Sequence, residues 1–349
     1  GFTAAFSGSG RRIGGSERAC LALALVLAAL GAVPSLTLAG IALSGSSDTF
    51  RHLWRTVLPA SALTTLLLMA GVALLAGITG SLTAWLVTEF RFPGHRLLGW
   101  ALVLPLAVPS YIAAYCFNEL FHYVGPVQTG LRALFGWRSR ADYWFPDVRS
   151  PGGAVLILSS VLYPYVFLTV RMALLMQGRR AAEVARTLGA GGARVLFAVV
   201  LPMARPAIAV GVALALMEAV NDIGAVQFLG VQTLTFAVYA TWLNRGDLVG
   251  ATQIALLMLL AIVALVWIER RARHRQRFSS ASADARRAAP RALRGWRAAA
   301  ATLACLVPVL AGFGVPLLVL GGYGWRRVGD FAETALWRAL ANTVAVAGS

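Results

Sequence analysis

Glu183-Val184-Ala185-Arg186-Thr187-Leu188-Gly189, followed twelve residues on by Leu201-Pro202, is a polar interruption between two long apolar runs. Charged and small residues over seven positions suit a short helix lying along a membrane surface, not one passing through it. Gly189, with Gly191 and Gly192, ends that helix by permitting a left-handed turn. Val195 to Val200 is apolar again, and Leu201-Pro202 restarts the chain toward the next run. A membrane protein has little reason to build such an element unless something outside the bilayer grips it.

The rest of the composition makes it a membrane protein. Hydrophobic residues are 58% of the 349 and charged residues only 13%, with a mean hydropathy of +0.72. A soluble chain of this length would carry about twice that charge. Crossing roughly 30 Å of hydrocarbon takes about 20 apolar residues. Six runs meet that length: Cys20 to Leu43, Val57 to Val87, Leu97 to Phe117, Gly152 to Leu174, Pro206 to Leu229 and Val249 to Ile268. A seventh extends from Ala298 to Gly321, and an eighth starts near Leu336 and stops short at Ser349. With no initiator Met, the chain reads as a piece of a longer polypeptide. The fold class expected is all-α and polytopic. The first run is too long for a signal peptide and lacks a small-residue cleavage pattern, so it counts as a span.

A net charge of +17 would suggest nucleic acid in a soluble protein, but its distribution points elsewhere. With the N-terminus placed in the cytoplasm, the inner segments hold 20 Arg and the outer segments 9. That asymmetry is the positive-inside bias. The ten Trp fall at run ends or between runs, as an interfacial belt requires. Membrane lipid is therefore the expected environment, and nucleic acid is not a partner.

The chain also repeats itself. Leu27 to Pro34 resembles Leu310 to Pro316, and Leu53-Trp54-Arg55 recurs as Leu336-Trp337-Arg338, at offsets of 282 and 283 residues. Six runs separate the copies, so both have one orientation, a parallel repeat. This divides the chain into a cytoplasmic tail (1–19), a six-span domain (20–268), a basic linker (269–297) and the start of a second copy (298–349). The linker holds ten Arg and reads as a solvated segment near anionic lipid.

All 31 basic residues are Arg. A phosphate-cradling G-x-x-x-x-G-K-[ST] loop needs its Lys, so no such ATP site exists here. Cys20, Cys116 and Cys305 are scattered, without a CxxC pair, as are the four His. No catalytic constellation, metal site or cofactor is expected. The acidic residues say more. Glu218, Asn221 and Asp222 share one helical face at i, i+3 and i+4. Charge deep in a span costs about 2.5–3.5 kcal/mol, so it faces a cavity or a partner. Carboxylates and carbonyls suit a hard cation, and a hydrogen-bonded knot between helices is the structural alternative. Pro105 and Pro109 interrupt the third run and free backbone carbonyls. Tyr111 and Tyr115 follow on one face and either line the outer mouth or pack. The outer segment 118–151 carries Arg132, Arg138, Arg140, Asp142 and Asp147. It either meets a soluble protein through rim ion pairs or rests as an amphipathic helix on the outer leaflet.

The pattern E-x-A-x-x-x-G, nine residues, then V-x-L-P, carried here by Glu183, Ala185, Gly189, Val199, Leu201 and Pro202, resembles the coupling loop of binding-protein-dependent ABC importer permeases. Val184 stands where that family usually has alanine, and Val199 where it has isoleucine. The resemblance extends over Phe92-Pro93-Gly94, Leu104 to Tyr111, Gly125-Pro126, Met217 to Gly224 and Thr241-Trp242, which look like ferric-iron importer permeases. It implies a six-span permease half in a bacterial inner membrane, with its N-terminus in the cytoplasm. It also implies an ATPase dimer gripping segment 179–204, and a periplasmic protein delivering the solute. Permeases for thiamine, sulfate, polyamines and phosphonates share the same loop. A proton-coupled secondary transporter using Glu218 and Asp222, or a scaffold without transport, are the alternatives from other classes.

Overall fold

The computed structural model of the protein describes residues 15–45, 51, 54–177, 180–274, 291–329 and 334–348. In chain order these form α1 (Gly15–Leu43), α2 (Leu58–Glu89), a short strand β1 (Phe90–Arg91), α3 (His95–Ala101), α4 (Ser110–Phe121) and α5 (Pro126–Phe135). Then come α6 (Pro151–Gln177), α7 (Arg180–Thr187), α8 (Gly192–Val195), α9 (Leu201–Asn221), α10 (Ile223–Leu229) and α11 (Leu234–Tyr239). The remainder is α12 (Leu248–His274), β2 (Arg291–Ala292), α13 (Trp296–Val309), α14 (Val315–Arg326) and α15 (Thr334–Ala347). Among the described residues, five helices are long and apolar enough to cross a membrane, or up to seven if each of two bent pairs is one span. The protein is all-α and polytopic. Apolar runs of this length take that form because hydrocarbon offers backbone groups no other partner.

Contacts divide the chain into two compact units: residues 1–58 with 237–267, and 59–236 with 268–349. In the first, α1 and α12 meet where the Gln253 side-chain amide donates to the Ala42 carbonyl at 3.2 Å. Asp247 caps α12, accepting the Gly250 N–H at 2.8 Å. Most of α1 lies exposed, with Leu23, Leu27, Leu30 and Leu36 at its surface.

The second unit is organised around α6, whose Tyr163, Val166, Phe167, Ile157 and Leu158 are almost fully buried. Glycines let its neighbours come close. A Cβ at Gly80 of α2 would lie 2.8 Å from both the Phe167 nitrogen and the Tyr163 oxygen, and one at Gly211 of α9 would lie 2.6 Å from the Val166 Cα. Between apolar helices in lipid, such backbone proximity supplies the packing energy that water would otherwise drive.

Three apolar runs depart from simple helices. The third is bent by 97° between segments His95–Ala107 and Ser110–Phe135. The break is where the prolines predict it: a 3-10 turn Leu104–Ala107, then Val108 and Pro109 in extended conformation. The fifth begins earlier than its composition suggests and breaks near its end. α8 passes through a π turn (Leu196–Val200) into α9, so Leu201-Pro202 continues a helix and does not restart one. A proline ring collides with the carbonyl four residues back, and the wider π turn just before Pro202 accommodates it. The seventh uses the same device, a π turn (Leu310–Gly314) placed just before Pro316. α9 then stops at Asn221, with Asp222 extended.

The basic segment 269–297 is also more ordered at its end than a solvated linker. Residues 275–290 lie outside the described residues, as do 1–14 of the N-terminal tail. Beyond them, Arg291 and Ala292 pair in parallel with Phe90 and Arg91.

Candidate functional site

Two groups of residues stand about 30 Å apart along α9, whose 21 residues each rise about 1.5 Å. The first surrounds α7, at the end of the bundle where α2 and α6 finish and α9 begins. α7 closes on a left-handed glycine: Gly189 has φ +85°. The Ala190 N–H reaches the Ala185 carbonyl at 3.0 Å, and the Gly189 N–H reaches that of Arg186 at 2.9 Å. That pair of bonds satisfies carbonyls the helix end would otherwise leave open. Ala185 and Ala190, the two residues so joined, both pack against buried Val195 and Val200, together with Trp85 of α2 and Leu174 of α6. Ala185 is therefore small because it is a contact.

A second fastening was not legible in the motif. Arg186 Nη2 donates to Glu89 Oε2 at 3.0 Å, and both side chains are largely buried. Glu89 ends α2 and Arg186 lies 97 residues on, too far for any local pattern to pair them. The available hint was a lone carboxylate closing an apolar run. With these contacts facing inward, α7 and the residues after it expose Val184, Leu188 and Phe197. Glu183 belongs to α7 by its backbone, and its side chain lies outside the described residues. Leu201 and Pro202 are half-buried in the first turn of α9.

The second group gathers at the far end of α9. Glu218 and Asn221 lie exposed in its last turns. Asp222 does not share their helical face as spacing alone suggests, because the helix has ended: its carboxylate caps α10, accepting the Ala225 N–H at 2.9 Å. Asp is among the best residues at such a position. α10 is the surface on which the two tyrosines rest. A Cβ at Gly224 would lie 2.9 Å from the Tyr111 Cβ, and the Tyr115 ring meets Phe228 edge-on at 5.9 Å. Tyr111, Tyr115 and Asp222 are thus assembled around one short helix, with Glu218 and Asn221 on the helix before it. Tyr323 of α14 adds to this end, donating from its hydroxyl to Glu119 at 2.7 Å.

The segment between α4 and α6 uses most of its polar residues on itself. Arg132 donates to the Tyr123 carbonyl at 2.8 Å and to the Tyr143 hydroxyl at 3.0 Å. Asp142 accepts the N–H groups of Arg138 and Ser139 at 2.7 and 2.8 Å. These bonds hold its carboxyl below the ordinary carboxylate value. Phe135, Trp137 and Tyr143 stack in series at 4.8 and 4.7 Å.

Residues 76–277 match the family described as the inner membrane component of binding-protein-dependent transport systems. The Molybdenum transport system permease protein ModB of Escherichia coli K12 is 31% identical over 206 residues, covering 56% of this chain and 86% of that protein. The Sulfate transport system permease protein CysW of the same organism is 31% identical over 229 residues, covering 62% and 71%. A putative 2-aminoethylphosphonate permease, PhnU, of Salmonella choleraesuis is 29% identical, covering 72% and 90%. Among solved structures, one chain of a bacterial alginate ABC transporter in complex with an alginate-bound periplasmic protein superimposes with a TM-score of 0.59. It is 16% identical, covering 74% of this chain and 96% of that one.

Proposed function

Because the chain belongs to the family of inner membrane components of binding-protein-dependent transport systems, we propose that it forms the solute pathway of an ATP-driven importer. A separate ATPase dimer would move it, and a periplasmic protein would supply the solute. The observation that carries this reading is α7. It is fastened to the bundle by Arg186–Glu89 and by the Ala185–Ala190 contacts, while Val184 and Leu188 face outward. A helix so held transmits a push into α2, α6 and α9 without folding away. In this reading Glu183, Ala185, Gly189, Leu201 and Pro202 serve coupling, and the N-terminus is cytoplasmic, as the Arg distribution favours.

For the solute we propose a hard cation, ferric iron. Support comes from the oxygen-rich end of α9 and α10, where Glu218, Asn221, Asp222, Tyr111 and Tyr115 offer carboxylate, amide and phenol donors. A second reading, an oxyanion, is favoured by the molybdenum and sulfate permeases among the relatives. Proteoliposomes holding the full-length permease, its ATPase and its binding protein decide between them. ATP-dependent uptake of radioactive ferric iron, with molybdate and sulfate excluded, is the expected result; uptake of either oxyanion in its place removes the cation reading. Uptake that follows a proton gradient without ATP removes the importer reading altogether.

Asp222 allows the charge to be tested apart from the fold. Asn caps a helix about as well as Asp, so Asp222→Asn should leave stability within about 0.5 kcal/mol of the parent. Ferric uptake in that variant is expected to fall at least tenfold. Asp222→Ala, which also loses the cap, should additionally cost about 1 kcal/mol. Thermal melts in detergent beside uptake assays separate the two effects.

A further inference from the structure

The residues that receive α7 also receive the start of the seventh span. Glu89 is 5% exposed at the C-terminal end of α2. There the helix dipole disfavours a carboxylate, and burial is costly unless a cation compensates. Arg186 does so at 3.0 Å. One turn earlier, Trp85 packs in the cluster that holds Ala185 and Ala190, and its ring meets Phe90 edge-on at 5.0 Å. The segment entering α13 fastens to the residues that follow directly. Phe90 and Arg91 pair with Arg291 and Ala292, and the Leu293 N–H donates to the Arg91 carbonyl at 2.8 Å. The Thr302 hydroxyl, whose one proton is shared with the Ala298 carbonyl at 3.0 Å, lies 3.2 Å from the Pro93 carbonyl.

We infer that residues 85–93 are a transmission element, in which the Arg186–Glu89 pair positions α7 so that its displacement is carried through the β1–β2 bridge into the seventh span. The inference rests on α7 being the ATPase-driven lever. Arg186 and Glu89 are positioning residues that touch no solute. Two successive residues, Glu89 and Phe90, belong to different fastenings. One reaches α7 and the other reaches β2, with no flexible segment between them to absorb movement. The seventh span opens the repeated copy, so a push on one loop would shift both copies together.

The test uses proteoliposomes of the full-length permease with its ATPase and binding protein, and whichever of ferric iron, molybdate or sulfate the wild type imports. Arg186→Glu and Glu89→Arg are each expected to lower ions imported per ATP hydrolysed at least fivefold, and the charge-swapped double variant to restore at least half. A further double variant, Arg186→Met with Glu89→Leu, replaces the buried pair by apolar groups, an exchange that is often neutral for stability. It should assemble with the ATPase and hydrolyse ATP, yet show the same loss of ions per ATP. Import per ATP within twofold of wild type in the apolar pair overturns the inference, since the pair would then only hold the fold together. So does a swap that assembles and restores nothing. Gly189→Val is the companion control. If it abolishes uptake while the Arg186 and Glu89 variants transport normally, the lever stands and the transmission element falls; if it transports normally, the lever itself falls.

Discussion

Gly189→Val is expected to reduce ATP-dependent uptake to background while the protein still inserts and accumulates in the membrane. The effect is one of backbone, because a Cβ at this position would meet nothing within 4 Å. At φ +85° an L-residue carries a penalty of about 1–2 kcal/mol, and a β-branched one is a stronger outlier. The chain relieves that strain by abandoning the left-handed turn, and the two closing bonds at Ala185 and Arg186 go with it. α7 then no longer ends where Ala190 packs beside Ala185, and the surface carrying Val184 and Leu188 loses its fixed orientation. The added side chain meets no span directly, since nothing lies within 4 Å of its first carbon. Gly189→Asn, which tolerates the left-handed region, should retain at least half of the uptake. Gly191→Ala, also open to solvent but without a positive φ, should be silent. Membrane-fraction blots, co-purification of the ATPase and initial uptake rates decide the matter; a valine variant that transports normally removes α7 from the coupling role.

How much of this was legible beforehand differs by residue. The position of α7, its glycine stop and the break at Pro105 and Pro109 follow from local chemistry, because glycine and proline act within one turn of themselves. Hydrophobic runs placed the first, second, fourth and seventh spans for the same reason, since length against bilayer thickness needs no partner. The run Val249 to Ile268 supplies only a shorter apolar helix, Leu248–Ala264, and the bent pair Ile223–Leu229 with Leu234–Asn244 lies partly in the stretch read as an outer segment. The Arg186–Glu89 pair was hidden because its members are 97 residues apart and only folding brings them together. Asp222 was misread by spacing: i+4 implies a shared face only while the helix continues, and here the carboxylate starts a new helix. A capping residue followed by Ile223 and Gly224 was the available signal, overridden by the apolar run that contains it. The continuity of α8 with α9 was hidden for a different reason. Pro202 reads as a start, and only the preceding π turn shows how a helix can contain it.

Gly80→Ala is expected to destabilise the protein, although the same exchange in an exposed helix would stabilise it. Ala gains about 1 kcal/mol over Gly in helix propensity, and adds a single carbon. At Gly80 that carbon would lie 2.6 Å from the Val166 Cβ and 2.8 Å from both the Phe167 nitrogen and the Tyr163 oxygen. Two of these are backbone atoms of α6, which no rotamer change can move aside. The helices must separate, and inserting atoms into a packed core typically costs about 1–3 kcal/mol. The loss spreads, because Tyr163, Val166 and Phe167 are almost fully buried at this crossing, and a gap leaves their faces without contacts. Steric cost therefore exceeds propensity gain, with a fall of roughly 3–8 °C in the detergent melting midpoint. Gly77, one turn away on α2, gives the internal comparison. Its added carbon would sit 3.5 Å from a Val212 methyl, an ordinary contact, so Gly77→Ala should be neutral or raise the midpoint. Gly211→Ala, whose carbon would lie 2.6 Å from the Val166 Cα of α6, should behave like Gly80→Ala. Equal melting of the Gly77 and Gly80 variants would mean that α2 and α6 are not held backbone to backbone, and that the centre of the bundle lies elsewhere.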